Sequence, residues 1–298
     1  MNNHQETGQI VQALSGFYDV KLEDGRIERT RARGQFRKTK QTPLVGDFVK
    51  VQLDDKGESL VTEILPRKNT MQRPPVANVD VALVVVSVTY PEIPLKLVDR
   101  LLVYAESLSI QPILYLTKWD LLENETEQMA VRERFSIYEN IGYPVVWSEP
   151  KDQRDQALSE AIAGRTMVVM GQSGVGKTTL LNELLPNKTL ETADISKALG
   201  RGRHTTRHVE IHQVLAGQVI DTPGFSSLSL TAIPLDQLAM NFPEIWALQP
   251  ECKFRGCRHL KEPQCAVKAA VEAGTIAQSR YDNYVAFYEE IEANSQIY

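Results

Sequence analysis

Between residues 79 and 88 the chain reads Val-Asp-Val-Ala-Leu-Val-Val-Val-Ser-Val, an apolar run broken only by Asp80 and Ser87. Such a run suits a parallel strand covered on both faces. After it, Leu97, Leu101, Tyr104, Ala105 and Leu108 recur at helical spacing, predicting a helix over 95–109. The alternation then repeats. Strand patterns over 112–116, 143–147 and Thr166–Met170 are separated by helical patterns over 126–140 and 153–163, and a further helix follows over 179–185. Strand and helix in turn predict an α/β, doubly wound sheet. The first 68 residues read differently, as short strands over 16–22, 46–53 and 59–65 with a hairpin signal at Glu23-Asp-Gly25, which predicts a small β-barrel. Near the other end, helical patterns cover 265–273 and 278–293, the second with a packing stripe of Tyr281, Tyr284, Val285, Tyr288 and Ile291. Proline-rich punctuation at 66–75 separates barrel from sheet, so the expected domains are 1–68, 69–230 and 231–298.

The strand at Thr166–Met170 runs into Gly-Gln-Ser-Gly-Val-Gly-Lys-Thr-Thr over 171–179, which fits the phosphate-loop pattern G-x-x-x-x-G-K-[ST] in its required strand–loop–helix setting. Gly171, Gln172, Ser173, Gly174, Val175 and Gly176 are expected to wrap phosphates with backbone N–H groups, aided by the positive end of the next helix. Lys177 would supply a point charge to the β/γ-phosphates, the Thr178 hydroxyl would ligate Mg²⁺, and Thr179 closes the loop. At the end of the 112–116 strand stands Thr117-Lys118-Trp119-Asp120. A carboxylate there can accept both the N1–H and the exocyclic amine of guanine, a donor pair that adenine lacks, while the Lys118 stem lies across the base. Downstream, Asp221-Thr-Pro-Gly224 ends another strand and suits an Asp near Mg²⁺ and a Gly N–H facing a γ-phosphate.

Charge alters this picture only locally. The 298 residues carry a net charge of -5, which gives no global sign of nucleic-acid binding. Over 26–40, however, Arg26, Arg29, Arg31, Arg33, Arg37, Lys38 and Lys40 face a single acid, Glu28. A basic groove on a five-stranded barrel is a common oligonucleotide-binding (OB-fold) device, with Phe17 or Phe36 as candidate stacking residues. The alternative is a solvated basic strand whose aromatics belong to the core. The three cysteines, Cys252, Cys257 and Cys265, fall within one short span with His259. Three thiols and an imidazole complete a tetrahedral zinc set, expected to be structural because it leaves no open position. No apolar stretch approaches the length of a spanning helix, and the first residues lack a secretory pattern, so a cytoplasmic protein without membrane contact is expected.

Phosphate loop, T-K-x-D and D-x-x-G together resemble the Ras-related GTPases, with the order rotated, because the base-reading motif here precedes the phosphate loop. The domain is thus similar to circularly permuted GTPases. With its barrel and Cys/His cluster, the whole chain resembles the bacterial ribosome small-subunit-dependent GTPase A (RsgA) family. Two departures stand out: Thr117 takes the place of the family Asn, and Phe225 stands where Ras-like enzymes carry a catalytic Gln. The resemblance implies GTP/GDP, Mg²⁺ and one Zn²⁺ as cofactors, with Lys177, Thr178, Thr206 and Gly224 as catalytic residues. Thr178, Thr206 and Asp221 would serve Mg²⁺, Thr205 being the alternative to Thr206 as switch threonine in the Gly-rich, basic segment 194–208. His204 and His208 are further candidates there for positioning water or touching RNA phosphate. It also implies a monomer acting on the small ribosomal subunit and its rRNA in late maturation. Without a water-orienting Gln, intrinsic hydrolysis should be slow and completed by a partner. Two rivals predict other behaviour: a P-loop kinase or ATPase indifferent to Asp120, and an RNA-binding factor whose GTP switch scarcely turns over.

Overall fold

A computed structural model of the chain describes residues 5–34, 36, 41–54, 58–185, 209–221 and 228–295. These fall into two compact units, one from 1–82, 155–169 and 177–225, the other from 83–154, 170–176 and 226–298.

In the first unit, β1 (Gln5–Leu14), β2 (Phe17–Leu22), β3 (Ile27–Ala32), β4 (Phe48–Gln52) and β5 (Ser59–Ile64) close a five-stranded barrel in the order β1-β2-β3-β5-β4, with β4 returning to β1. Among the described residues, β3–β5 is the one parallel pair of the barrel strands. The strand β1 does triple duty: along one edge residues 5–9 pair β4 and then Gln12 and Ala13 pair β12 (Val209–Val214), while residues 8–14 pair β2. A register shift between Ile10 and Gln12 accompanies that change of partner. Closure demands Gly8, since a Cβ there would meet Lys21 O and Val20 Cγ1 at 2.6 Å. Asp47, fully buried, accepts two hydrogen bonds from Arg67 at 2.7 Å and one from the Leu44 N–H, pinning the chain entering β4. Beyond β12 come the antiparallel β13 (Gly217–Asp221) and then, parallel to it, β11 (Thr166–Met170).

A small hairpin, β6 (Thr70–Gln72) with β7 (Pro75–Ala77), occupies the punctuation after the barrel. In the second unit, β8 (Val81–Ser87), buried throughout, is followed in sheet order by β9 (Gln111–Thr117) and β10 (Val145–Trp147). Helices α1 (Leu95–Ser107) and α2 (Glu125–Ile141) connect these strands; Asn124 Oδ1 accepts the Glu127 N–H to start α2, and Gly142 in the left-handed region ends it. Next in the chain are α3 (Lys151–Ile162) and α4 (Lys177–Leu184), then α5 (Pro243–Leu248), α6 (Ala266–Glu272) and α7 (Gln278–Ser295). Phe242, Ile245, Val267, Tyr284, Phe287 and Ile291 form a core for these last helices, which also takes in Val103 of α1.

At the centre of that core lies Arg280, 0% exposed. Its Nε donates to Glu244 at 2.7 Å, its Nη1 lies 2.8 Å from Asp99, and its guanidinium stacks 4.7 Å from the Phe242 ring. Asp99 also accepts from Tyr138 Oη at 2.7 Å and from Asn283 Nδ2 at 2.6 Å. Thus α1, α2, α5 and α7 meet at one buried ionic cluster.

Candidate functional site

The phosphate loop begins where β11 ends. Gly171, Gly174 and Gly176 all have positive φ, at +145°, +82° and +102°. At Gly171 there is also no room, because a Cβ would lie 2.5 Å from Val85 O. Val175 is buried and turns inward, whereas Gln172, Ser173 and Gly174 are exposed. Glycines at positive φ are what a backbone N–H nest for phosphate requires. The chain continues directly into α4, opened by Lys177 with Thr178 half-buried and Thr179 exposed. Burial brings the Lys177 ammonium down to a pKa of about 8, a cost that a bound phosphate would offset. Asp221 ends β13 opposite Glu210.

Thr117 sits at the carboxyl end of β9, buried, and its hydroxyl donates to Val175 O at 2.6 Å. The 117–120 segment and the 171–176 loop are therefore tied by a side chain shorter than Asn. Thr117 fills a tethering place and has no exposed face to offer a base. Gly176 packs against it, with a Cβ position 3.5 Å from Thr117 Cγ2. Lys118 takes the left-handed conformation, φ +64°, and its Nζ donates to Tyr90 O at 2.6 Å. Trp119 and Asp120 lie in a 3₁₀ turn, Trp119–Leu121, with Asp120 exposed. Two neighbours escaped the sequence reading: Ser148, whose Oγ accepts the Trp119 N–H at 3.4 Å, and the 88–91 segment, which takes the Lys118 ammonium. Position just past a parallel strand was the available signal for both. Thr205, Thr206, His204, His208, Gly224 and Phe225 lie outside the described residues.

The zinc candidates do converge. The ligand atoms of Cys252, Cys257, His259 and Cys265 lie within 4.8 Å of one another. His259 Nδ1 is 3.6 Å from Cys252 Sγ and 3.4 Å from Cys265 Sγ, and the two sulfurs are 3.9 Å apart. Four Zn–S or Zn–N bonds of about 2.0–2.3 Å in a tetrahedron span edges of this length. Burial lowers the His259 pKa, keeping the imidazole neutral as a ligand must be. Tyr281 and Tyr284 of α7 donate to the carbonyls of His259 and Arg258 at 2.7 and 2.8 Å, so the aromatic stripe both packs and holds the ligand loop.

On the barrel, Phe36 is buried and belongs to the core, while Phe17 lies under Arg29 and Arg31 at 4.8 and 4.4 Å. Phe17, Arg31 and Phe36 line a cleft of about 700 Å³ with Tyr18, Arg33 and Gln41. Arg26 pairs with Asp24 and Glu6, and Arg31 with Glu58, so part of the basic run is balanced. Arg37, Lys38 and Lys40 lie outside the described residues.

The sequence pattern of the RsgA GTPase family matches residues 64–231, and that of the RsgA N-terminal domain matches 7–61. The chain belongs to the RsgA GTPase family. It is 49% identical over 296 residues to the small ribosomal subunit biogenesis GTPase RsgA of Latilactobacillus sakei, covering 98% of each chain. The protein of the same name from Enterococcus faecalis is 50% identical, covering 98% of this chain and 97% of its own. Among solved structures, YloQ, described as a circularly permuted GTPase, superposes with a TM-score of 0.82 at 42% identity, covering 98% of this chain and 96% of that one. RsgA membership makes the chain a GTPase of the permuted type, with GTP or GDP and Mg²⁺ as its nucleotide and metal. Among the described residues, no helix is long and apolar enough to cross a membrane.

Proposed function

We propose that the chain is a cytoplasmic, GTP-gated factor that binds the small ribosomal subunit and its rRNA during late maturation, and that the particle stimulates its hydrolysis of GTP. The observation that carries the nucleotide half is the Thr117 hydroxyl on Val175 O, because it fixes the segment that reads the base to the loop that holds the phosphates. In this reading Asp120 accepts guanine N1–H and the 2-amino group, and the 171–176 backbone with Lys177 holds the β/γ-phosphates. Thr178, Thr206 and Asp221 offer the hard oxygen ligands that Mg²⁺ takes, and Gly224 senses the γ-phosphate. The developing charge is stabilised by Lys177 and backbone amides, while the particle completes the positioning of water that Phe225 cannot perform. Zinc on Cys252, Cys257, His259 and Cys265 supports a rigid surface for rRNA, as do the basic residues of the barrel.

GTP hydrolysis measured with and without purified small subunits tests this, with Lys177→Ala as the blank and large subunits as the specificity control. A strong rise with small subunits alone is expected. No rise, with GTP still bound, would refute stimulated hydrolysis and leave a passive switch.

A further inference from the structure

Lys118 occupies the left-handed region at φ +64°, which residues with a Cβ hold only where their surroundings impose it. The turn that follows has no buried residue to impose anything: Asp120 and Leu121 are exposed, and only Trp119 is half-buried. Beyond the Trp119 N–H on Ser148 Oγ at 3.4 Å and the Lys118 Nζ on Tyr90 O at 2.6 Å, its bonds are local, Leu121 N–H to Lys118 O at 3.1 Å and Leu122 N–H to Trp119 O at 3.2 Å. The Trp119 ring is the apolar anchor beside those two tethers. It meets Trp147, at the end of β10, edge to face with centroids 4.8 Å apart, and the Arg132 guanidinium from α2 lies 4.8 Å from the Trp119 ring and 4.9 Å from the Trp147 ring. One cation therefore holds both indoles, and one of those indoles sits directly before the carboxylate assigned to guanine.

We propose that Arg132 is a positioning residue for base selection: clamped on Trp119 and Trp147, it sets the turn so that both Asp120 oxygens lie in the plane of the base. A carboxylate pairs with N1–H and the 2-amino group together only in that plane, and slight tilting forfeits the more distant contact first. The clamp thus governs discrimination between guanine and hypoxanthine, which keeps N1–H and lacks the amine. The inference rests on the reading of Asp120 as the base-reading group.

The test is calorimetric titration of the full-length protein with GDP and with IDP. In the wild type the amine's bond to a charged partner is worth about ten- to a hundredfold in favour of GDP. Arg132→Ala should lower that ratio at least threefold. Trp147→Leu, which removes the other face of the clamp, should do the same, and Arg132→Lys should restore part of it, because an ammonium still sits favourably over an indole. For GTP hydrolysis the change should fall in KM rather than kcat, and the Trp emission should shift to the red as the rings gain water. A ratio that stays at the wild-type value in Arg132→Ala, while Asp120→Ala abolishes the preference, overturns the positioning role alone. A preference that survives Asp120→Ala overturns the reading of Asp120 and the inference with it.

Discussion

Replacing Arg280 by Leu should unfold the second unit more easily than any surface change in it. The side chain is wholly buried and has three charged contacts, with Glu244 at 2.7 and 3.2 Å and Asp99 at 2.8 Å. Leucine leaves both carboxylates inside without a counter-charge, and removing one partner from a buried ionic cluster costs about 3–5 kcal/mol. That is a large share of the roughly 5–15 kcal/mol that holds a domain together. For a unit of this size it corresponds to a fall in Tm of roughly 10 °C. The desolvation origin of the cost makes a second prediction inseparable from the first. Adding Asp99→Asn and Glu244→Gln to Arg280→Leu should recover much of the loss, since no uncompensated charge then remains. Urea denaturation followed by tryptophan emission reads both variants. A loss below about 1 kcal/mol in Arg280→Leu, or no recovery in the triple variant, would refute the view that buried charge compensation fastens α7 to α1, α2 and α5.

The depressed pKa of Lys177, about 8 through burial, predicts a pH dependence of nucleotide binding. Bound phosphate favours the ammonium, so GDP affinity should change little between pH 7 and 8 and fall above it by up to about tenfold per unit, because binding then takes up a proton. A weaker slope in Lys177→Ala over pH 7 to 9 isolates this group; equal slopes would refute it. The Cys/His cluster should hold one zinc ion per chain by elemental analysis, and Cys257→Ser should release it and lower Tm. Unchanged Tm on chelation would contradict a structural role.

Local chemistry made much of this protein legible without coordinates. Glycines at fixed spacing before Lys177, a carboxylate just past a parallel strand, and three thiols with an imidazole within one short span each suggest a role within a few residues. Alternating strand and helix patterns likewise announce the α/β sheet, because periodicity records which side of each element is buried. The strand β1 was harder to see, since Gly8 and the polar Gln5, Glu6, Gln9 and Gln12 break the apolar alternation; it is a strand because three partners pair with it. Phe36 was ambiguous for a similar reason, as a ring beside basic residues reads equally as a stacking platform or as core, and only packing decides. Thr117 could be flagged in sequence as a departure, yet that its hydroxyl reaches Val175, 58 residues away, follows from the fold alone. The same holds for Arg280 with Asp99, and for Arg132 between two tryptophans. Motifs are written along the chain because their geometry is local. Tethers, clamps and buried ion pairs are decided in three dimensions, because their partners become neighbours only when the hydrophobic layers pack.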